Sequence, residues 1–279
     1  MTQIEQDDLL LIEAFPMPQL KRTRTLRIYL PYDYGTSNKH YPVLYMHDGQ
    51  NVFDELTATY GMCWQAKTTL DEMQKQGETD GIILVAIDSS DELDKMGRYN
   101  EYSPWKATSQ ISEFGIPDAL CDFGGEGDDY VDFIVDTLKP YIDRNYRTQP
   151  QRNSTYLAGS SMGGLISLYG GGKHQHAFGT LGVFSPAFWF NHSEYFNYAS
   201  GLEFELPVKI YMDMGTNEKR EDTSVDFAQV YLDGSRSMND ILLNKDNVSL
   251  IYMEGEGHEH NEIAWAKRFP DFIRFIMNH

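Results

Sequence analysis

The sequence is poor in whatever would staple or anchor a chain. Its two cysteines, Cys63 and Cys121, stand far apart with no CxxC pair, so neither a zinc site nor a redox couple is indicated. No apolar stretch approaches the roughly 20 residues needed to cross a bilayer. The N-terminal MTQIEQDDLLLIEAF lacks a basic start, a sustained apolar run and a cleavage site. It does not read as a secretory signal, and a cytoplasmic location is expected. Positive charge is scarce as well: 23 Lys and Arg face 42 Asp and Glu, a net charge of −19. A surface this acidic repels phosphate backbones and anionic headgroups, which argues against nucleic-acid and membrane partners. No repeat, low-complexity tract or Pro/Gly-rich linker divides the 279 residues, so a single domain over 1–279 is expected.

What is present is a recurring unit: a short apolar run, then a polar turn containing glycine. Such runs fall at 24–31, 41–49, 81–88, 154–160, 179–186, 208–215 and 248–255. Several are almost continuously hydrophobic, as strands buried on both faces of a parallel sheet must be. Between them lie helical patterns. Across 128–146, Val131, Ile134, Val135, Leu138 and Ile142 share one face, and Pro140 is expected to kink or end the helix near its last turn. DFAQVYLDGSRSM and the terminal AWAKRFPDFIRFIMNH read as helices too, the second interrupted by Pro270. Strands alternating with helices predict an α/β fold with a mainly parallel central sheet and helices on both faces. The long irregular stretch over 89–127, rich in Gly, Asp, Ser and aromatics, is expected to be functional.

The motif that carries chemistry is LAGSSMGGLISLYGGG, where Gly159, Ser161 and Gly163 complete G-x-S-x-G. An apolar strand precedes it and a helix-like segment follows, the context of a nucleophile elbow. Serine at such a corner sits in strained backbone, and the helix that starts there points free N–H groups at a developing oxyanion. Ser161 is therefore the candidate nucleophile, with Ser160 as filler. A serine hydroxyl needs a base, and the base needs an orienting carboxylate. In the α/β-hydrolase order the acid and then the histidine follow the serine, each after a later strand. The strand VKIYMDMG leads to Glu218, with Asp213, Glu221 and Asp222 as rivals; VSLIYMEG leads to His258 and His260 in EGEGHEHNEIAW. An oxyanion hole needs two donors. The amide of Met162 is one candidate, and the loop HDGQN after the strand at 43–46 offers the other, unless His47 and Asp48 form only a supporting turn.

These segments together resemble the esterase D-like family of α/β-hydrolases, which includes S-formylglutathione hydrolases, feruloyl and acetyl esterases, mycolyltransferases and siderophore esterases. The resemblance runs from MPQLKRTRTLRIYLPYDY through YPVLYMHDGQNVFD, RYNEYSPW, YVDFIVDTLKPYIDRNYRT, YLAGSSMGGLISLYGG, FSPAFWF and GTNE to HNEIAWAKRFPDFIRF. It implies an α/β-hydrolase fold and a Ser161, Glu218, His260 triad, because the family histidine commonly precedes a tryptophan by five residues and Trp265 follows His260 at that spacing. It also implies an oxyanion hole from the amides of Gln50 and Met162, and no cofactor. HDGQN departs from the S-formylglutathione hydrolase loop, so siderophore-lactone or acylated-sugar esters stay as candidate substrates within a general ester hydrolase.

Two other readings compete. Metal binding at HEHNE fails the H-E-x-x-H pattern because Glu262 stands where the second histidine belongs. His174 and His176 repeat the HxH spacing but read as surface residues after a helix, so no metal is expected. A non-catalytic binding protein on a hydrolase scaffold is the other alternative, and such proteins typically lose the nucleophile or base. Among the aromatics Trp64, Tyr99, Tyr102, Trp105 and Trp189, the residues Tyr102 and Trp105 of RYNEYSPW are the candidates to meet substrate.

Overall fold

In the computed structural model, residues 2–6, 9–92, 96–108, 112, 122–219 and 225–277 are described. Seven strands stand at the seven apolar runs: β3 (Arg22–Tyr29), β4 (Val43–His47), β5 (Ile83–Ile87), β6 (Thr155–Ser160), β7 (Thr180–Phe184), β8 (Val208–Gly215) and β9 (Val248–Gly255). Two more, β1 (Thr2–Gln6) and β2 (Leu9–Met17), occupy the N-terminal segment, for which the sequence reading gave no strand. The order is β1-β2-β3-β5-β4-β6-β7-β8-β9. Pairing is antiparallel from β1 to β5 and parallel from β5 to β9. This is an α/β-hydrolase fold.

Side chains alternate between the faces along each strand, because successive Cβ atoms point to opposite sides. Val43 and Tyr45 of β4 join one apolar cluster, while Leu44 and Met46 join the other. The first face is covered by α3 (Gly127–Asp132), α4 (Lys139–Asn145), α5 (Met162–Lys173), α6 (His192–Gly201) and α7 (Phe227–Leu243). The second is covered by α1 (Ala66–Lys75) and α8 (Glu262–Met277). One short helix, α2 (Gly97–Glu101), lies in the long irregular stretch.

The two prolines behave differently from the expectation. Pro140 does not stop its helix. A π-helical stretch, Phe133–Leu138, runs directly into α4, and the helix continues through Pro140 to Asn145, the π turn having already displaced the bonds the proline would break. Pro270 lies inside α8, which continues to Met277. Pro270 and Ala266, whose carbonyl loses its helical donor, are both partly exposed.

Chain order reverses at β4, which has β5 on one side and β6 on the other. In open α/β sheets the crevice beyond the strand C-termini at such a reversal is where ligands bind. The loops that leave β4, β6, β8 and β9 here are those carrying Gln50, Ser161, Glu218 and His260. Behind them Phe272 of α8 is fully buried against Phe184 and Tyr211, and its ring fills the space left by Gly182. Phe272→Ala is expected to cost about 3–5 kcal/mol. Urea denaturation measures it, and a loss under about 1 kcal/mol would contradict this account of the core.

Candidate functional site

Ser161 caps α5 with φ 58° and ψ −120°, a conformation that L-residues avoid. Backbone bonds hold it there: its N–H donates to the Phe184 carbonyl of β7 at 2.9 Å, and its carbonyl accepts from Leu165 of α5 at 3.1 Å and from Ala187 at 3.0 Å. The turn is tight enough to require its glycines. A Cβ on Gly159 would lie 2.8 Å from His47 Cδ2 and 2.9 Å from the Gly163 carbonyl carbon, and one on Gly163 would press on His47 and Asp48. The floor of the elbow is therefore His47, at the end of β4.

His47 is buried, with Nδ1 2.8 Å from the Tyr130 hydroxyl. Burial pushes its pKa down from 6.5 to about 3, with the Arg98 charge adding to the effect and Asp48 opposing it. Asp48 adopts a left-handed conformation; its N–H donates to the Tyr102 hydroxyl at 3.1 Å, and its carboxylate takes a two-point bond from Arg98 at 2.6 and 2.7 Å. Next comes a 3₁₀ turn, Gly49–Asn51, with the Gln50 side chain tied to both the N–H and the hydroxyl of Ser89 at 3.0 and 2.9 Å. Gln50 near the start of this turn and Met162 at the start of α5 each carry an amide their own helix cannot use. Both residues line one cleft with Ser161.

Glu218 is fully buried and its two oxygens are divided. Oε2 takes the His260 Nδ1–H at 2.7 Å; Oε1 takes the Ser185 hydroxyl at 2.5 Å and the Gly215 N–H at 2.6 Å. Ser185 in turn accepts from Trp265 Nε1 at 2.9 Å and from Arg268 at 3.0 Å. Arg268 is clamped by Asp213 at 2.8 and 3.1 Å and donates to His258 Nδ1 at 2.9 Å. The rival acid Asp213 is thus engaged with Arg268; burial pushes its pKa up to about 6, against the pull of that guanidinium. The other rivals, Glu221 and Asp222, lie outside the described residues, as does Cys121. His258 holds Arg268 and lies behind Glu218, and burial and the Arg268 charge lower its pKa.

The cleft has a volume of about 410 Å³ and contains Ser161, His260, Gln50 and Met162. Tyr60, Tyr99, Trp189 and Tyr231 form aromatic walls; Asp48, Arg98 and Glu262 form a polar side. Ion pairs from Arg22 and Arg24 to Glu101 tie α2 to β3, so the helix that carries Arg98 and Tyr99 is fixed to the sheet. Tyr102 and Trp105 do not line this cleft, which corrects the expectation for them. Tyr102 is fully buried under Asp48, and Trp105 packs on Tyr169, Tyr195 and Tyr198. RYNEYSPW supplies Arg98 and Tyr99 to the cleft instead, because α2 turns those two toward it.

Sequence reasoning missed Tyr231, Ser185 and Arg268. Tyr231 stacks on His260 with ring centroids 4.7 Å apart, its hydroxyl 3.4 Å from Nε2. No motif marks them; the segments FSPAFWF and AKRF were the available signal. His174 bonds Asp132 at 2.7 Å and adjoins His176 at the end of α5. Among the described residues no three His, Cys, Asp or Glu side chains gather in a way that would hold a metal ion, and no helix is long and apolar enough to cross a membrane.

The elbow serine, the carboxylate-bound histidine, Gln50 and Met162 thus meet in one cleft at the sheet's reversal point. The chain belongs to the Esterase family, described as "Putative esterase", whose model matches residues 18–276, and it is a carboxylic-ester hydrolase. Uncharacterized protein YbbA of Bacillus subtilis (strain 168) is 27% identical over 257 residues, covering 91% of this chain and 92% of its own. An IroE-like serine hydrolase from Shewanella oneidensis superposes with TM-score 0.75 at 21% identity, over 96% of this chain and 80% of that one. The siderophore hydrolase EstA from Aspergillus nidulans also gives TM-score 0.75, at 17% identity over 98% and 97%.

The buried His47 makes stability depend on pH. An unfolded imidazole takes a proton below about 6.5, whereas the buried one refuses it until about 3. Its contribution is complete above the unfolded value and drains away as pH falls through this window. Between pH 7 and pH 4 the native protein should lose about 3 kcal/mol more stability than His47→Gln. Urea midpoints measured at both pH values test this; equal losses would contradict it.

Proposed function

We propose that the chain hydrolyses carboxylic esters through an acyl-enzyme on Ser161. His260 takes the Ser161 proton through Nε2 as the hydroxyl attacks the ester carbonyl. The amides of Gln50 and Met162 receive the oxyanion, each worth about 3–4 kcal/mol. Glu218 keeps the His260 proton on Nδ1, so that Nε2 presents its lone pair, and it stabilises the imidazolium that forms. His260 then protonates the departing alcohol, and water repeats the cycle on the acyl-enzyme. Each step uses side chains, amides and water.

The observation that carries this reading is the 2.7 Å bond from His260 Nδ1 to the buried Glu218, with His260 and the strained Ser161 sharing one cleft. The aromatic walls favour an ester with a planar or sugar-like group, where ring faces supply contact area at small entropic cost. Siderophore-lactone and acylated-sugar esters fit this description. The shared fold of a siderophore hydrolase supports testing the lactones first.

The reading is tested on a panel of esters compared by kcat/KM: short and long acyl p-nitrophenyl esters, feruloyl and acetyl sugars, and a siderophore trilactone. Ser161→Ala and His260→Ala are expected to lose at least about a thousandfold. Glu218→Gln is expected to lose about a hundredfold or more, whereas His258→Ala keeps far more activity than His260→Ala. Near-native turnover by Ser161→Ala would sink the proposal. An unaffected Glu218→Gln would move the acid to Glu221 or Asp222.

A further inference from the structure

Tyr231 sits where the leaving group must pass. Its hydroxyl is 3.4 Å from His260 Nε2, its ring stacks on the imidazole at 31°, and the residue is 4% exposed yet lines the cleft. Its oxygen also faces the Ser161 hydroxyl and the Trp189 indole. With the imidazole proton on Nδ1, held by Glu218, Nε2 has a lone pair to offer, so the phenol is the donor between them. Any alcohol oxygen that is to receive the His260 proton must come within about 3 Å of Nε2. On the side of Nε2 that the phenol faces, such a position is within hydrogen-bond reach of the Tyr231 hydroxyl, 3.4 Å from Nε2.

We propose that Tyr231 is a further catalytic residue, whose phenol donates a hydrogen bond to the leaving-group oxygen during acylation. The inference rests on the Ser161 acyl-enzyme reading above. As the tetrahedral intermediate collapses, the bond from carbon to the leaving oxygen breaks and its electron pair stays on that oxygen. The imidazolium of His260 gives up its Nε2 proton to the same oxygen. Tyr231 keeps its own proton throughout and supplies only the hydrogen bond. Burial raises the phenol's pKa well above its ordinary value, so it remains a donor at working pH. The benefit depends on how much charge the oxygen carries. An alkoxide is basic and needs the bond, whereas a nitrophenolate leaves readily without it. Tyr231 therefore selects for esters of ordinary alcohols, the sugar hydroxyls and serine-type lactone oxygens of natural esters among them.

The experiment compares wild type with Tyr231→Phe on p-nitrophenyl acetate and ethyl acetate, which share an acyl group and differ in the leaving oxygen. Reading kcat/KM confines the comparison to acylation, and titration of the active serine with a fluorophosphonate normalises for folded enzyme. The proposal expects the ethyl ester to lose about tenfold or more while the nitrophenyl ester changes by less than about threefold. Equal loss on both esters would reduce Tyr231 to a packing surface for His260, and no loss on either would also overturn the proposal. A Tyr231→Gln and Tyr231→Leu pair repeats the comparison where the Phe variant does not fold. The donor-bearing Gln should then exceed Leu on the ethyl ester alone, and parity would overturn the proposal. Failure of the underlying reading looks different: Ser161→Ala would then hydrolyse both esters at the wild-type rate.

Discussion

A carboxylate taken wholly out of water has to be held by donors, and the site depends on how Glu218 is held. Its inner oxygen receives the Ser185 hydroxyl and the Gly215 amide; its outer oxygen is left for His260 alone. The nearest guanidinium, Arg268, stands back at 3.8 Å. A full ion pair there would compete with the histidine for the charge. Arg268 instead spends its donors on Asp213, His258 and Ser185, and that serine carries a hydrogen bond on to Glu218. Because an unpaired charge in this interior costs several kcal/mol, every member of the chain is bound to the others. The parts come from β7, β8, the loop after β9 and α8, so the geometry at His260 is set by the packing of the whole C-terminal half.

The serine side is built on a different constraint, space. Strand β6 must turn into α5 within a residue, directly over His47, which leaves no room for a side chain at 159 and little at 163. His47 also stays neutral, since burial penalises a charged imidazole below the elbow more than the neighbouring Asp48 favours it. Around it Asp48 is taken by Arg98, and Tyr130 is bonded to His47 Nδ1. The loop over 47–51 is thereby held by its own side-chain bonds to Tyr130, Arg98 and Ser89.

Much of this was legible in the sequence because it rests on local pattern. The inner strands β4, β5, β6, β7 and β8 announced themselves as apolar runs, since parallel strands buried on both faces tolerate little else. The elbow was legible because its glycines are demanded by contact distance. The choice of His260 rested on a family spacing to Trp265, and the structure supplies a physical reason for that spacing. The Trp265 ring lies edge-on to His260 at 5.1 Å and its N–H reaches Ser185, which bonds Glu218. What was not legible depends on long-range placement. Ser185, Arg268 and Tyr231 sit in ordinary strand-end and helix segments, and only tertiary packing brings them to the site. Tyr102 and Trp105 were misjudged for the same reason: aromatic residues near a site in sequence are as readily its support as its lining. Pro140 was misread because a π-turn upstream had already rearranged the bonds it would have broken.

The account stands or falls on one covalent bond. Treating the intact protein with a fluorophosphonate and mapping the adduct by peptide mass spectrometry reads it directly. A single phosphonyl group on Ser161, abolished when His260 is replaced by Ala, is the result predicted. Labelling on Ser160, on another residue, or on Ser161 with undiminished rate in the His260 variant would contradict the central claim.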